Sequence, residues 1–180
     1  MKTLTLLRHA KSSWDDAVAR DFDRPLNEKG RKAARAMGSR AKAMGLKADR
    51  LIASPAARVT QTLDSFFEGL GRVIEPVWDQ RIYLASFSTL LDVIHETAAS
   101  VDHLMLVGHN PGLEDLILDL VADDGTSPLR DIVEAKFPTA CLAQMSWPGD
   151  GWETLVPGAG ARLDTLTRPR DLDPRFGPDH

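Results

Sequence analysis

Two histidines and two arginines in this 180-residue chain have the types and the spacing for phosphate chemistry. Residues 3–8 alternate and then become solidly apolar, ending on Arg8-His9. Asp49 to Ala53 reads as a short strand closed by Ser54-Pro55, with Arg58 in the opening turn of the next helix. His103 to Gly108 is the strongest buried-strand signal and delivers His109-Asn110 just before a helix N-terminus. Open α/β sheets bind ligands beyond the carboxyl ends of their strands. If these three strands are neighbours, both histidines and both arginines converge on one pocket. Guanidinium groups grip phosphate oxygens through paired, charge-assisted hydrogen bonds and cannot lose their charge. A helix N-terminus adds backbone donors. A neutral imidazole is nucleophilic near pH 7 and can take up a phosphoryl group; the second histidine, protonated, would stabilise charge on the transferring oxygens. Singly these residues are ordinary: a hydrogen-bonded histidine at a strand end, a surface helix charge, a turn. Their recurrence at three equivalent places carries the reading.

The elements that must position them follow from pattern. Residues 10–27 are polar, with Asp and Arg scattered through a long loop. Asn27 can cap a helix from Glu28 to about Met44, stopped by Gly45. Further helices are expected from Ala56 to about Leu70, from Phe87 to Ala98, and from Pro111 to about Val121, with a third strand from Arg72 to Val77. Ala140 to Trp147 and Trp152 to Val156 flank Pro148-Gly149-Asp150-Gly151, a predicted hairpin. Strands alternating with helices predict a three-layer α/β/α sandwich with a mainly parallel sheet and an antiparallel element near the C-terminus. With no internal repeat or linker, one domain is expected over residues 1–160, followed by a tail over 161–180.

Composition narrows the function. The chain is 43% hydrophobic and 27% charged, as in ordinary folded proteins. Net charge is −4, which argues against indiscriminate nucleic-acid binding. Residues 1–60 hold 14 Lys and Arg against 6 Asp and Glu, whereas residues 61–180 hold 8 against 20. Arg31, Lys32, Arg35, Arg40, Lys42 and Lys47 read as a solvated helix face; Arg8, Arg24 and Arg58 lie outside that run. No apolar run approaches the roughly 20 residues of a membrane helix, and the N-terminal apolar stretch is too short for a secretory signal, so a cytoplasmic protein is expected. Cys141 is the single cysteine and reads as a core residue. His95, Glu96 and His103 read as structural, and no metal or cofactor is expected.

Four blocks in order resemble the histidine phosphatase (phosphoglycerate-mutase-like) superfamily. They are Leu7-Arg8-His9-Ala10, Arg24-Pro25-Leu26-Asn27-Glu28-Lys29-Gly30, Ser54-Pro55-Ala56-Ala57-Arg58-Val59-Thr60-Gln61-Thr62 and Val107-Gly108-His109-Asn110-Pro111. The small size and the absence of a large insert look most like its SixA-type phosphohistidine phosphatases. The resemblance implies that His9 is the phosphorylated nucleophile, that Arg8 and Arg58 hold phosphoryl oxygens, and that His109 completes the pocket. Arg24 would be a further phosphate contact, or else a loop anchor paired with Asp21 or Asp23; Asn110 would support from behind. Many superfamily members carry a carboxylic acid after the third strand, yet none lies between Asp79 and Asp92 here. SixA-type members also look short of it. Were an acid supplied from elsewhere, Glu114 and Asp115 would be the first candidates.

The expected activity is dephosphorylation of phosphohistidine on a protein partner through phospho-His9. The alternatives are a small-molecule phosphomonoesterase acting on a phosphorylated metabolite, and a phosphate-binding module without catalysis.

Overall fold

The computed structural model describes residues 1–13 and 20–177. β1 (Lys2–Arg8), β2 (Arg50–Ala53), β3 (Pro76–Trp78), β4 (His103–Gly108), β5 (Leu142–Trp147) and β6 (Arg162–Thr167) form one sheet in the order β3-β2-β4-β1-β5-β6. The pairings β3–β2, β2–β4 and β4–β1 are parallel, whereas β1–β5 and β5–β6 are antiparallel. Side chains alternate across the pleat. Leu4, Leu6, Ile52, Leu104, Leu106, Ala143 and Met145 enter one apolar layer, and Leu7, Leu51, Ala53, Met105, Val107 and Leu142 the other. The first layer is closed by α3 (Phe87–His95), α4 (Gly112–Leu120) and α5 (Pro128–Ala135), the second by α1 (Glu28–Ala43) and α2 (Ala57–Leu70). This is the α/β/α sandwich expected from the alternation of elements. Among the described residues no helix is long and apolar enough to cross a membrane.

Parallel register brings the three chemically marked strand ends together. Arg8 lies opposite Gly108, and Ala53 opposite Val107. The ladder continues past the strands, with His9 N–H donating to Gly108 O at 3.0 Å and Ser54 N–H to Val107 O at 3.1 Å. β4 is therefore the shared neighbour that sets Arg8-His9 on one side of His109 and Ser54 on the other.

The C-terminal third departs from its sequence reading. β5 pairs with β6, not with residues 152–156, and β6 comes from the segment expected to be a tail. Trp152 and Leu155, both 1% exposed, lie three residues apart at a 3₁₀ turn and are buried together, so a helical turn produced the apolar spacing mistaken for a strand. Within 162–167 the pattern does alternate, with Leu163 and Thr167 buried and Arg162 and Asp164 exposed. A short α6 (Pro169–Leu172) then packs against α1. β3 spans three residues, shorter and later than the strand expected over 72–77. α5 was not anticipated, although Ser127 accepts from Arg130 N–H and Pro128 opens the helix.

α1 and α2 cross closely enough to require glycine. A Cβ on Gly38 would fall 2.0 Å from Phe66 O, and one on Gly69 would fall 2.0 Å from Arg35 O. Both obstacles are backbone and cannot rotate away. Gly38→Ala should therefore lower the unfolding free energy by about 1–3 kcal/mol through forced separation of the helices. Urea denaturation checks this, with wild-type stability as the contrary result.

Candidate active site

At the carboxyl ends of β1, β2 and β4 a cavity of about 600 Å³ is lined by Arg8, His9, Lys11, Ser12, Asp21, Arg24, Arg58, Leu84, His109, Asn110 and Thr139. All five residues singled out from the sequence thus share one cavity. Four of its polar members are deeply set: His9 is 6% exposed, Arg24 8%, Arg58 2% and His109 3%.

His9 follows β1 directly. Its Nδ1 lies 2.8 Å from the Ala10 carbonyl, an oxygen that can only accept, so Nδ1 carries the proton and Nε2 presents a lone pair. The turn after it is anchored by α2, because Ala10 N–H donates to Thr62 Oγ1 at 2.8 Å while Thr62 Oγ1 donates to Arg58 O at 2.6 Å. Gln61 does the same for the long loop, with its Oε1 accepting from Leu26 N–H at 2.9 Å. These contacts explain why Gln and Thr stand three and four residues after Arg58. Burial, only partly offset by the Ala10 hydrogen bond, holds the His9 pKa well below its ordinary value, and Arg8, His109 and Arg58 lower it further.

His109 ends β4, with its ring centroid 5.3 Å from that of His9. Its Nε2 lies 2.8 Å from Ser54 Oγ, which also accepts from Ala56 N–H. Nδ1 is buried with no hydrogen-bond partner among the described residues. Burial first, then the Arg58 charge, lower the His109 pKa to about 3. Burial and the three arginines facing the ring therefore disfavour the protonated second histidine expected from the sequence.

The arginines are held by acceptors. Arg8 Nη1 donates to Phe137 O at 3.1 Å, an oxygen shared with Asn110 Nδ2 at 2.8 Å. Arg24 donates to Asp21 Oδ1 through Nε and Nη2, at 3.3 and 3.2 Å, and through Nη1 to Ser12 Oγ. Arg24 is thus both a loop anchor and a cavity residue. Arg58 donates through Nη1 to Asp21 O at 2.9 Å and through Nη2 to Asp21 Oδ2 at 3.0 Å. Asp21 Oδ2 also accepts from the Tyr83 hydroxyl at 2.7 Å. Burial alone would raise the Asp21 pKa, but Tyr83, Arg58 and Arg24 outweigh it and bring it to about 2. Asp21 was expected only as a loop-anchoring partner of Arg24, a pairing the structure contains, whereas its contacts to Arg58 and Tyr83 had no place in the sequence reading.

Glu114 and Asp115 do not line the cavity, and Glu114 Oε1 is taken by Phe137 N–H at 3.0 Å. Asp115 is exposed on α4. Among the described residues Asp21 is the carboxylate at the cavity wall.

The family model for the histidine phosphatase superfamily (branch 1) matches residues 4–83. The uncharacterized protein Rv1276c of Mycobacterium tuberculosis is 31% identical over 156 residues, covering 86% of this chain and 95% of that protein. Among solved structures, that of a presumed phosphohistidine phosphatase SixA from Agrobacterium tumefaciens superposes with a TM-score of 0.77 at 29% identity, covering 93% of this chain and 97% of the other. A protein histidine phosphatase SixA complexed with tungstate shares the fold, with a TM-score of 0.75 at 19% identity over 95% and 99% of the two chains.

The two buried neutral histidines make stability depend on pH with a definite sign. Unfolded histidine titrates near pH 6.5, so below that value the unfolded chain binds more protons than the folded one. Stability is therefore full above about pH 6.5 and falls as pH drops towards the His109 value of about 3. Urea unfolding should give a lower free energy at pH 5 than at pH 7.5, a window above the titration of unfolded aspartate near 3.9. The difference should shrink in His109→Gln. Equal pH dependence in that variant would contradict the neutral buried ring.

Proposed function

The chain belongs to the histidine phosphatase superfamily, in its SixA-like branch, and from this premise we propose that it hydrolyses phosphohistidine on a protein through a covalent phospho-His9. The observation that supports this reading most is the state of His9. It is buried, neutral, tied through Nδ1–H to Ala10 O, and set among Arg8, Arg24 and Arg58.

In the proposed reaction His9 Nε2 attacks phosphorus and the leaving group departs with the electron pair of its bond to phosphorus. The imidazole becomes a phosphoimidazolium, whose charge strengthens the Nδ1–H bond to Ala10 O. Water then attacks the same phosphorus, inorganic phosphate carries away the proton that water gives up, and His9 returns to its neutral form. Arg8 and Arg58 face the charge on the transferring oxygens. With Ser54 donating to His109 Nε2, His109 Nδ1–H is left as a neutral donor to that group. Every positive charge in this scheme is a side chain, so the reaction is proposed as metal-independent.

Among the described residues no proton-donating acid is placed at the cavity, and this sets the proposed substrate preference. Asp21, at about 2, is ionised at neutral pH and holds no proton to donate, and the segment Gln80 to Ser86 contains no carboxylate. Expelling an alkoxide benefits from a proton donor in the transition state. Phosphohistidine can expel a neutral imidazole, whose conjugate acid has a pKa near 6.5, and phenols leave as anions with a pKa of about 10. The half-exposed rim residue Leu84 and the open cavity leave room for a histidine presented on a protein surface.

Two experiments test the proposal. Brief exposure to p-nitrophenyl phosphate should place acid-labile, base-stable phosphate on the wild type and none on His9→Ala, which should show no turnover. Turnover by that variant at the wild-type rate would exclude the covalent route. Separately, kcat/KM at constant pH should fall in the order phosphohistidine, aryl phosphate, alkyl phosphate. A flat dependence on leaving-group pKa, or a preference for phosphoserine or a sugar phosphate, would show that a proton donor operates.

A further inference from the structure

Asp21, itself on the cavity wall, makes more polar contacts to the cavity arginines than any other described residue. Its backbone carbonyl and Oδ2 together occupy the end of the Arg58 guanidinium, through Nη1 at 2.9 Å and Nη2 at 3.0 Å. Its Oδ1 occupies the flank of Arg24 through Nε and Nη2. A guanidinium carries five N–H donors in a fixed plane, so what is spent on one edge decides which edge remains. On Arg58 the remaining edge is Nε–H with the second hydrogen of Nη2, and Nε is buried without a hydrogen-bond partner among the described residues. That edge has the fork geometry that phosphate accepts.

Two guanidinium groups brought to one wall of a cavity repel each other. Asp21 is the carboxylate that both share, and Tyr83 fixes its orientation by donating to Oδ2 at 2.7 Å. The Tyr83 ring packs edge-on against Phe22 and against His109, at centroid distances of 5.1 and 5.4 Å, so the carboxylate is held from a second direction. Arg58 itself lies over the Tyr83 ring at 5.9 Å.

We propose that Asp21 is a positioning residue for the phosphoryl group: it clamps Arg58 and Arg24 side by side so that the unspent edge of Arg58 faces the incoming phosphate. The inference rests on the phosphate-pocket reading above and adds a residue to it. Asp21 acts through the arginines and neither exchanges a proton with the substrate nor competes with it.

Orthovanadate binding, followed by calorimetry, tests this without requiring turnover. Asp21→Ala should weaken orthovanadate by about 10–100-fold, the range seen when partners orienting metal ligands are removed. Asp21→Asn, which preserves the shape and one acceptor, should fall between Asp21→Ala and wild type and guards against a folding defect. In an Arg58→Ala background the Asp21→Ala change should cost several-fold less, because residues that act through one another are not additive. The slope of kcat/KM against leaving-group pKa should be the same in Asp21→Asn as in wild type. Tighter orthovanadate binding in either Asp21 variant would show that the carboxylate competes with phosphate, and would overturn the clamp. A changed slope would make Asp21 a proton donor, with the same effect, as would equal losses with and without Arg58. Wild type that binds orthovanadate without turning over phosphate esters or phosphohistidine would defeat the catalytic reading and leave this one standing. Wild type that fails to bind it would defeat both.

Discussion

A neutral histidine has to be kept beside three arginines and a lysine, and the carboxyl end of the sheet is built around that constraint. Arg8, Lys11, Arg24 and Arg58 all line the cavity that His9 enters. Crowding like charges costs energy unless each is matched by acceptors. Here half of the named acceptors are uncharged, Phe137 O for Arg8, Ser12 Oγ for Arg24 and Asp21 O for Arg58, and among the described residues the Asp21 carboxylate supplies the rest together with the negative charge at the wall. Carbonyl oxygens hold guanidinium groups in place without neutralising them, so the cavity keeps its positive field for an anion. The same field, together with burial, keeps both imidazoles unprotonated.

The arrangement requires strand ends in register, which explains why so much of it was legible in the sequence. Chemistry-bearing residues at the ends of three apolar runs need only one assumption, that the runs are neighbours, and β4 between β1 and β2 satisfies it. The layers were legible for a related reason. Strands buried on both faces read as near-continuous apolar runs, and helices with capping signals such as Asn27 announce their first turn.

Long-range pairing was not legible. Nothing local in Trp152 to Val156 distinguishes a strand from a 3₁₀ turn, since Trp152 is fixed by a hydrogen bond from Nε1 to Val101 O, 51 residues away, besides packing on Trp147. β6 was obscured by the Arg, Asp and Pro residues that follow it. Asp21 was legible only as a neighbour of Arg24, because a carboxylate in a polar loop has no periodicity to betray its other partners. Its partners are reached over separations of 37 residues to Arg58 and 62 to Tyr83. The surroundings of His109 were hidden for the same reason: the charges that lower its pKa come from Arg58, Arg8 and Arg24, and the sequence shows only the residues beside it in the chain.

The unequal distribution of charge along the chain acquires a structural meaning from this. Every cation at the cavity comes from the first 60 residues, the basic third. Part of the remaining basic charge of that third lies on the outer face of α1, where Arg35 pairs with Glu68 of α2 at an exposed site that contributes at most about 1 kcal/mol. The acidic remainder supplies one of the two cavity histidines and the Phe137 carbonyl, but none of the carboxylates at the wall. Asp21 belongs to the basic third too. Among the described residues these cations and the Asp21 carboxylate are therefore carried on one stretch of chain, β1 through the start of α2. β4 contributes His109, and the segment before β5 contributes the oxygen that holds Arg8. The polar groups that burial destabilises are gathered at one end of the sheet, and the two apolar layers behind it, continuous from Leu4 to Leu163 and from Leu7 to Leu142, offset their cost.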